Sequence, residues 1–385
     1  MKFFPLILSS LRRKKARTLL TMLSITVAFL LFGYLAAIRI GFSSGVEVAG
    51  ADRLIVRHRV SLAQLLPISY LDKMKQVGTV TAVIHQTWFG GIYREPKNFF
   101  AQMPVEQESF LDMYPEFLLP EEQKEAWLRN RPSAIVGRSL ANRFGFKVGD
   151  RIPIQSTIWT KKDGSRNWEF EVAGIFDGKE KGTDTSGLYF RYDYFDESRA
   201  FGQGLVGWYV VRVKDPEESA QTASQIDDLF MNSSNETKAE TEKAFLQGFA
   251  KQVGDIGSMI IAILSAVFFT ILLVAGNTMG QAVRERTEEI GAMKAIGFTN
   301  LQVLGLILAE SCLLSVLGGA IGLGIAAWMI SAGDPTQGAL PVFYFPEKDM
   351  VVGALLTVVL GVAAGLFPAL QAMRLQIAEA LRRMG

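Results

Sequence analysis

Four stretches of this chain are almost free of charge: Thr18–Ile38, Ser258–Gly280, Leu304–Ile330 and Met350–Leu370, with Glu310 the one interruption. At 1.5 Å per helical residue, each can cross a hydrocarbon core of about 30 Å. Buried helices of soluble cores usually stop at roughly 10–14 apolar residues. The pattern therefore predicts membrane spans. Between the first and second the period changes. "RLIVRH" and "TAVIHQTW" alternate as strands around the helical "ISYLDKMKQV". Further on, "VGWYVVRV" reads as a strand and "DPEESAQTASQIDDLF" as a helix, capped by Asp215 with Pro216 in its first turn. The fold class is then a membrane protein with four transmembrane α-helices. A large α+β extracytoplasmic domain, 39–257, is inserted between the first and second spans. Its two ends form mirrored strand and helix units around a β-rich piece, about 97–204, that includes "SAIVGRSLANRFGFKVGDRIPI" and "NWEFEVAGIFDG".

The other divisions follow the charges. Residues 1–17 form an amphipathic cytoplasmic helix, with Phe4, Ile7, Leu8 and Leu11 at helical spacing ahead of a basic end. Spans are expected at 18–38, 258–280, 301–330 and 350–370. A charged segment at 281–300, a short outer loop at 331–349 and a tail at 371–385 complete the chain. The first apolar run exceeds the usual 7–15 residues of a signal peptide, and "LAAIRIGF" is a poor cleavage site, so a retained anchor is expected. Lys2, Arg12, Arg13, Lys14, Lys15 and Arg17 precede the first span. Arg284, Arg286 and Lys294 lie in the charged segment, and Arg374, Arg382 and Arg383 in the tail. The loop 331–349 sets Lys348 against Asp334, Glu347 and Asp349. By the positive-inside rule both termini and 281–300 are cytoplasmic. Phe343, Tyr344 and Phe345 fall where an outer aromatic belt is expected.

The overall balance of 40 Lys and Arg against 38 Asp and Glu hides that segregation. A basic cytoplasmic rim suits anionic membrane lipids and argues nothing for nucleic acid. The single cysteine, Cys312, excludes an internal disulfide, and His58 and His85 stand apart as ordinary surface or core histidines with no metal-binding cluster. The run "GKEKGTDTSG", 178–187, has no apolar anchor and reads as a mobile loop. It is no phosphate cradle, because Gly178-Lys179 is followed by Glu180 where a P-loop needs Ser or Thr. No cofactor site is expected in this chain, and no nucleophile, base and orienting group recur together, so it is not read as an enzyme.

"RERTEEIGAMKAIGFTN", 284–300, is crowded with charge between two spans. Glu285, Glu288 and Glu289 early and Lys294 late complement the dipole of a helix of about three turns. Ile290, Met293 and Ile296 supply apolar contacts with Ala292 and Ala295. Gly297 is a natural C-terminal stop, and Thr299 with Gln302 has the spacing of a capping box for the next span. A helix with so little slack would transmit a push to both neighbours. Beyond it, Gly318–Gly322 and Ala320–Gly324 permit close helix approach or dimer packing. Glu310, costly against lipid, should face the bundle or the inner headgroup zone, paired with an N-terminal basic residue. With no second buried acid or histidine beside it, a proton relay is not expected.

"RERTEEIGAMKAIGFTNLQVLGLILAESCLLSVLGGAIGLGIA" resembles the signature of FtsX-like, MacB-type ABC transporter permeases, the family that includes the Lol permeases. Arg284, Arg286, Glu289, Ile290, Gly291, Lys294, Ala295, Ile296, Gly297 and Glu310 occupy the signature positions, with Glu288 and Met293 in the same helix. "RRKKARTLLTMLSI" and "FPALQAMRLQIAEALR" resemble the family's first span and C-terminal end. Ser24 and Ile377 depart from a common glycine and a usual proline, which weakens subfamily assignment. The resemblance implies a MacB-like periplasmic core domain and a coupling helix at 281–300 seated on a separate ABC ATPase that binds ATP and Mg. It also implies a permease homodimer or paralogous heterodimer, with a periplasmic adaptor as a further partner. The implied activity is mechanotransmission: ATP-driven motion of the outer domain that exports or extracts a hydrophobic or bulky substrate such as lipid, lipoprotein, peptide or drug. The alternatives are an FtsX-like signalling device that activates a cell-wall hydrolase, and a membrane-anchored sensor without an ATPase.

Overall fold

A computed structural model describes residues 14–48, 50–253, 256–335, 340 and 342–375. The amphipathic stretch as far as residue 13 lies outside the described residues, as do Ile377, Arg382 and Arg383. The chain divides into two units, Met1–Ile40 with Ile256–Asp334 and Phe343–Gly385, and Gly41–Asp255 with Pro335–Val342.

The helices of the first unit are α1 (Lys15–Val48), α2 (Ile256–Glu285), α3 (Thr287–Ala295), α4 (Asn300–Ala332) and α5 (Glu347–Arg374). Among the described residues, all but α3 are long and apolar enough to cross a membrane. Glycine sets how closely they pack. A Cβ on Gly318 would lie 3.0 Å from the Met22 carbonyl oxygen of α1, and one on Gly322 only 2.4 Å from that of Thr26. Across the same contact Thr26 Oγ1 donates to the Gly318 carbonyl at 3.1 Å. These two glycines are thus used inside the chain, so a dimer surface cannot be read from them. Gly324 is exposed, with nothing within 4 Å of a Cβ placed there. At the other end of α1, Arg39 Nη2 donates to both carboxylate oxygens of Asp349 at 2.8 Å. Phe343 and Phe345, expected as boundary aromatics, are half-buried against a small cluster of Ala37, Ala326 and Ile330, with Tyr34 6.3 Å from the Phe343 ring.

The second unit is built on a mixed sheet. Its strands are β1 (Arg53–His58), β2 (Leu66–Pro67), β3 (Val80–Gln86), β4 (Gly91–Ile92), β5 (Gln102–Val105), β6 (Phe117–Leu118) and β7 (Ser133–Gly137). They continue with β8 (Arg151–Ser156), β9 (Asn167–Gly178), β10 (Leu188–Arg191), β11 (Leu205–Val206), β12 (Trp208–Val213) and β13 (Thr237–Thr241). The order is β13-β1-β12-β3-β5-β10-β7-β9-β8-β4, with β6 on β9 and a separate β2–β11 pair. Strands from the two ends of the segment pair with each other, β1 and β3 flanking β12. They join the inserted half through one register pair, Gln86 with Val105. The inserted half also begins before residue 97, since β4 already pairs with β8.

Alternate residues feed two cores. Ile55, Ile84, Ile135 and Val210 pack on one face, and Leu54, Val56, Val83, Val136 and Val211 on the other. β1 is thus buried on both faces, a core strand rather than the alternating, half-buried strand expected, and β12 shares that pattern. Asp215 caps the following helical turn, accepting from the Glu217 amide at 3.0 Å, before the helix Ser219–Leu229. The loop 178–187 is not the unanchored segment expected. Gly182, Thr183, Thr185 and Gly187 are buried, and Thr185 accepts from the Leu140 amide at 3.2 Å and bonds the Ser139 hydroxyl at 2.7 Å. Hydrogen-bonded anchoring of this kind leaves no apolar trace in a sequence.

Both histidines are core residues. His85 packs edge-on against Tyr192 at 4.3 Å, and burial pushes its pKa down to about 4. The folded state therefore holds a neutral ring that the unfolded chain protonates near its ordinary value of about 6.5. Stability from this residue is intact above that value and is lost as pH falls toward 4, by at most roughly 3 kcal/mol. His85→Phe is expected to flatten that part of the acid limb, read as the difference between variant and parent in urea unfolding from pH 7 to 4.

Candidate coupling site at the α2–α3–α4 junction

The segment between α2 and α4 is short and stopped at both ends. Arg286 alone separates α2 from α3 and forms the N-cap of α3. Glu285, expected within the charged helix, is instead the last residue of α2, where Lys14 and Arg17 meet its carboxylate at 2.9 and 2.7 Å. At the far end of α3, the Gly297 amide bonds the Lys294 carbonyl and the Phe298 amide bonds that of Met293, both at 3.1 Å. That double bond pattern needs a left-handed residue, and Gly297 has φ +107°. Thr299 then opens α4 in a complete capping box with Gln302.

Three further ties fix α3 to the unit. Ile290 and Met293 pack with Met279, Val283, Val303 and Ile307 of α2 and α4. Lys294 Nζ donates to the carbonyls of Met373 and Leu375, both at 2.8 Å, closing the C-terminus of α5. Burial lowers the pKa of that amine. Arg286 Nη1 reaches Glu310 Oε2 at 2.7 Å, with Glu289 at 3.5 Å from its Nε. Glu310 is buried in the bundle, and among the described residues Arg286 of this junction is its cation; Arg12 and Arg13 of the N-terminal tail lie outside the described residues. Removing one member of a buried pair costs about 3–5 kcal/mol, whereas a matched apolar replacement can be neutral. Arg286→Met is thus expected to lose about that much, and Arg286→Met with Glu310→Met to regain most of it. Thermal unfolding of the full chain in detergent measures both.

The candidate residues divide by direction. Arg286, Ile290, Gly291, Met293 and Lys294 are buried or half-buried within the chain, and Glu289 lies at the margin. Arg284, Glu288, Ala295, Ile296 and Gly297 face outward. Ile296 is 81% exposed, and Leu301, in the first turn of α4, is 75% exposed. Sequence reading passed over Leu301. Its signal was a large apolar residue in a helical first turn directly after a polar cap.

The family model for the FtsX-like permease C-terminal domain matches residues 256–377, and that for the MacB-like periplasmic core domain matches 18–229. The chain belongs to this family of ABC transporter permeases and is an inner-membrane protein. A permease of this class implies an ATPase partner. An uncharacterized ABC transporter permease of Methanocaldococcus jannaschii is 24% identical over 97% of this chain and 96% of its own length. Macrolide export ATP-binding/permease protein MacB of Nitrobacter winogradskyi is 30% identical over 66% of this chain. The permease YknZ of Bacillus subtilis is 30% identical over 46%. The match spans less than half of these last two relatives, 38% of the MacB protein and 44% of YknZ. Among solved structures, the periplasmic region of MacB from Actinobacillus actinomycetemcomitans matches with a TM-score of 0.39 and 13% identity, covering 53% of this chain and 95% of that one.

Proposed function

We propose that this chain is the permease subunit of an ABC transporter whose ATPase is a separate polypeptide that grips α3 from the cytoplasm. In this reading both termini are cytoplasmic, and the domain between α1 and α2 lies outside. ATP and Mg bind in the partner, and closure of two such ATPases across a permease homodimer or paralogous heterodimer displaces α3. The observation that carries this reading is the way α3 is held. A one-residue link to α2, a glycine stop at Gly297, an apolar seam to α2 and α4, the Lys294 bonds to α5 and the Arg286–Glu310 pair hold it to the bundle. Its outward end meanwhile presents an apolar knob beside charge. A force on that knob would pass to α2, α4 and α5 together.

The work performed is mechanotransmission for export or extraction of a hydrophobic or bulky cargo such as a lipid, lipoprotein, peptide or drug, with a periplasmic adaptor as a further partner. Affinity purification from native membranes tests the assignment, with recovery of an ABC ATPase as the expected outcome. In lipid discs, stimulation of that ATPase by small cargo supports transport. Stimulation by a cell-wall hydrolase alone would favour FtsX-like signalling, and recovery of no ATPase would favour an anchored sensor.

A further inference from the structure

The second unit carries an exposed apolar strip that has no part in the coupling chemistry. Trp88, Phe99, Ile158 and Phe201 are 38%, 55%, 46% and 50% exposed. They are neighbours. The Trp88 and Phe99 ring centroids are 6.0 Å apart. Trp88 and Ile158 meet over Gly90, where a Cβ would lie 3.2 Å from Trp88 Nε1 and 2.8 Å from Ile158 Cδ1. The positive φ of Gly90, 63°, fits the same need for a residue without a side chain. Trp159 lies beneath, donating Nε1 to the Trp88 carbonyl at 2.9 Å and stacking 5.3 Å from Phe201. With 150–250 Å² per aromatic side chain, the strip offers on the order of 300–400 Å². That is the scale of a functional surface patch, and about half the ~800 Å² a folded partner would cover. The size therefore suits a small molecule better than a protein.

The charges near the Trp88, Phe99 and Ile158 end of the strip have one predominant sign, while Asp196 and Glu197, which precede Phe201, are paired with Arg199 and Arg131. Arg143 Nη1 bonds the Phe99 carbonyl at 3.3 Å, and its guanidinium lies 4.8 Å from the Phe144 ring. Arg94, in the turn leading to Phe99, sits over Tyr93 at 4.9 Å with a strained φ of 60°. Lys97 stands in the same turn, and Lys161 and Lys162 follow Ile158 in the β8–β9 hairpin. The acids in these segments are Glu95, which pairs with Lys97, and Asp163.

We propose that the strip is a docking site for an anionic amphiphile. Its apolar body would lie on Trp88, Phe99 and Ile158, and its acidic group would face Arg143, Arg94 and Lys162. The choice of a small cargo rests on the transport reading above; the binding itself needs no ATPase. The full chain in discs of zwitterionic lipid, titrated with 11-bromoundecanoate, tests it through quenching of tryptophan fluorescence. Saturable quenching is expected with the carboxylate and not with bromoundecyltrimethylammonium, which has the same chain and the opposite charge. Trp88→Phe should remove the saturable part, and Arg143→Gln with Lys162→Gln should raise half-saturation by roughly fivefold or more. Equal saturable quenching by the cation, or saturable quenching that survives Trp88→Phe, would overturn the proposal. So would a signal that grows only with lipid content, which marks a membrane-facing surface. ATPase recovery with no binding sinks this inference alone, whereas binding with no ATPase sinks the transport reading.

Discussion

Ile296→Asp is expected to abolish association with the ATPase while the permease still folds. Ile296 is 81% exposed, so its side chain adds little to the stability of the chain itself. Burying such a side chain in a partner is worth about 1.5–3 kcal/mol. A carboxylate there would have to be desolvated without a counter-charge, which adds to the loss. Since 1.4 kcal/mol is tenfold in affinity, the expected weakening is roughly 100-fold or more. Leu301→Asp should act in the same direction, because Leu301 is 75% exposed in the first turn of α4, five residues beyond Ile296. Co-purification and titration of the ATPase against the variant in discs measure the loss. An unchanged melting temperature in detergent shows that the spans are intact.

Arg53→Met should be the most destabilising single change in the second unit. The side chain is 4% exposed and bonds two carboxylates, Glu242 through Nε and Glu116 through Nη2, each at 2.6 Å. It also bonds the Met113 carbonyl at 3.1 Å and lies 4.6 Å from the Tyr114 ring. Burial works against its charge, but its hydrogen bond to Glu116 and the charges of Glu242 and Glu116 outweigh that and hold its pKa above the usual arginine value. Glu242 also accepts from the Gly50 amide at 3.0 Å. One guanidinium thus joins the chain leaving α1, the helix that precedes α2 and the inserted half of the sheet. Its loss strands two acids, one of them buried, at a cost of about 3–5 kcal/mol.

The sign of the pH dependence follows. Burial already raises the Glu242 pKa against the pull of Arg53, and removing Arg53 raises it further. The folded variant then holds a proton that the unfolded chain releases. Its deficit is largest at neutral pH and shrinks as pH falls through the raised value. Denaturation of variant and parent at neutral and mildly acid pH checks both size and direction.

Local chemistry made much of this visible in advance. The charge-free runs marked the spans, Gly297 marked the end of α3 and the Thr299–Gln302 pair the start of α4, because caps act within four residues. The short apolar stretches of β1, β3 and β12 were legible as strands in the same way, although two-sided burial was not. What stayed hidden depends on partners far along the chain. Arg286 finds Glu310 across 24 positions and Lys294 finds Met373 across 79, and no periodicity carries such pairings. Arg53 is the extreme case, a charged residue in an apolar strand whose partners lie 63 and 189 positions away. The direction of the glycines was equally illegible. A small-residue spacing shows that close approach is permitted, not whether α1 or another molecule makes it.

Photocrosslinking from position 296 in native membranes, with benzoylphenylalanine replacing Ile296 and the same substitution at Ile290 as the inward control, tests the central claim most directly. The account predicts an adduct with an ABC ATPase from position 296 that changes in yield with ATP, and none from position 290. No ATPase adduct from position 296, or labelling of a cysteine placed there only by reagents outside the cell, would contradict it.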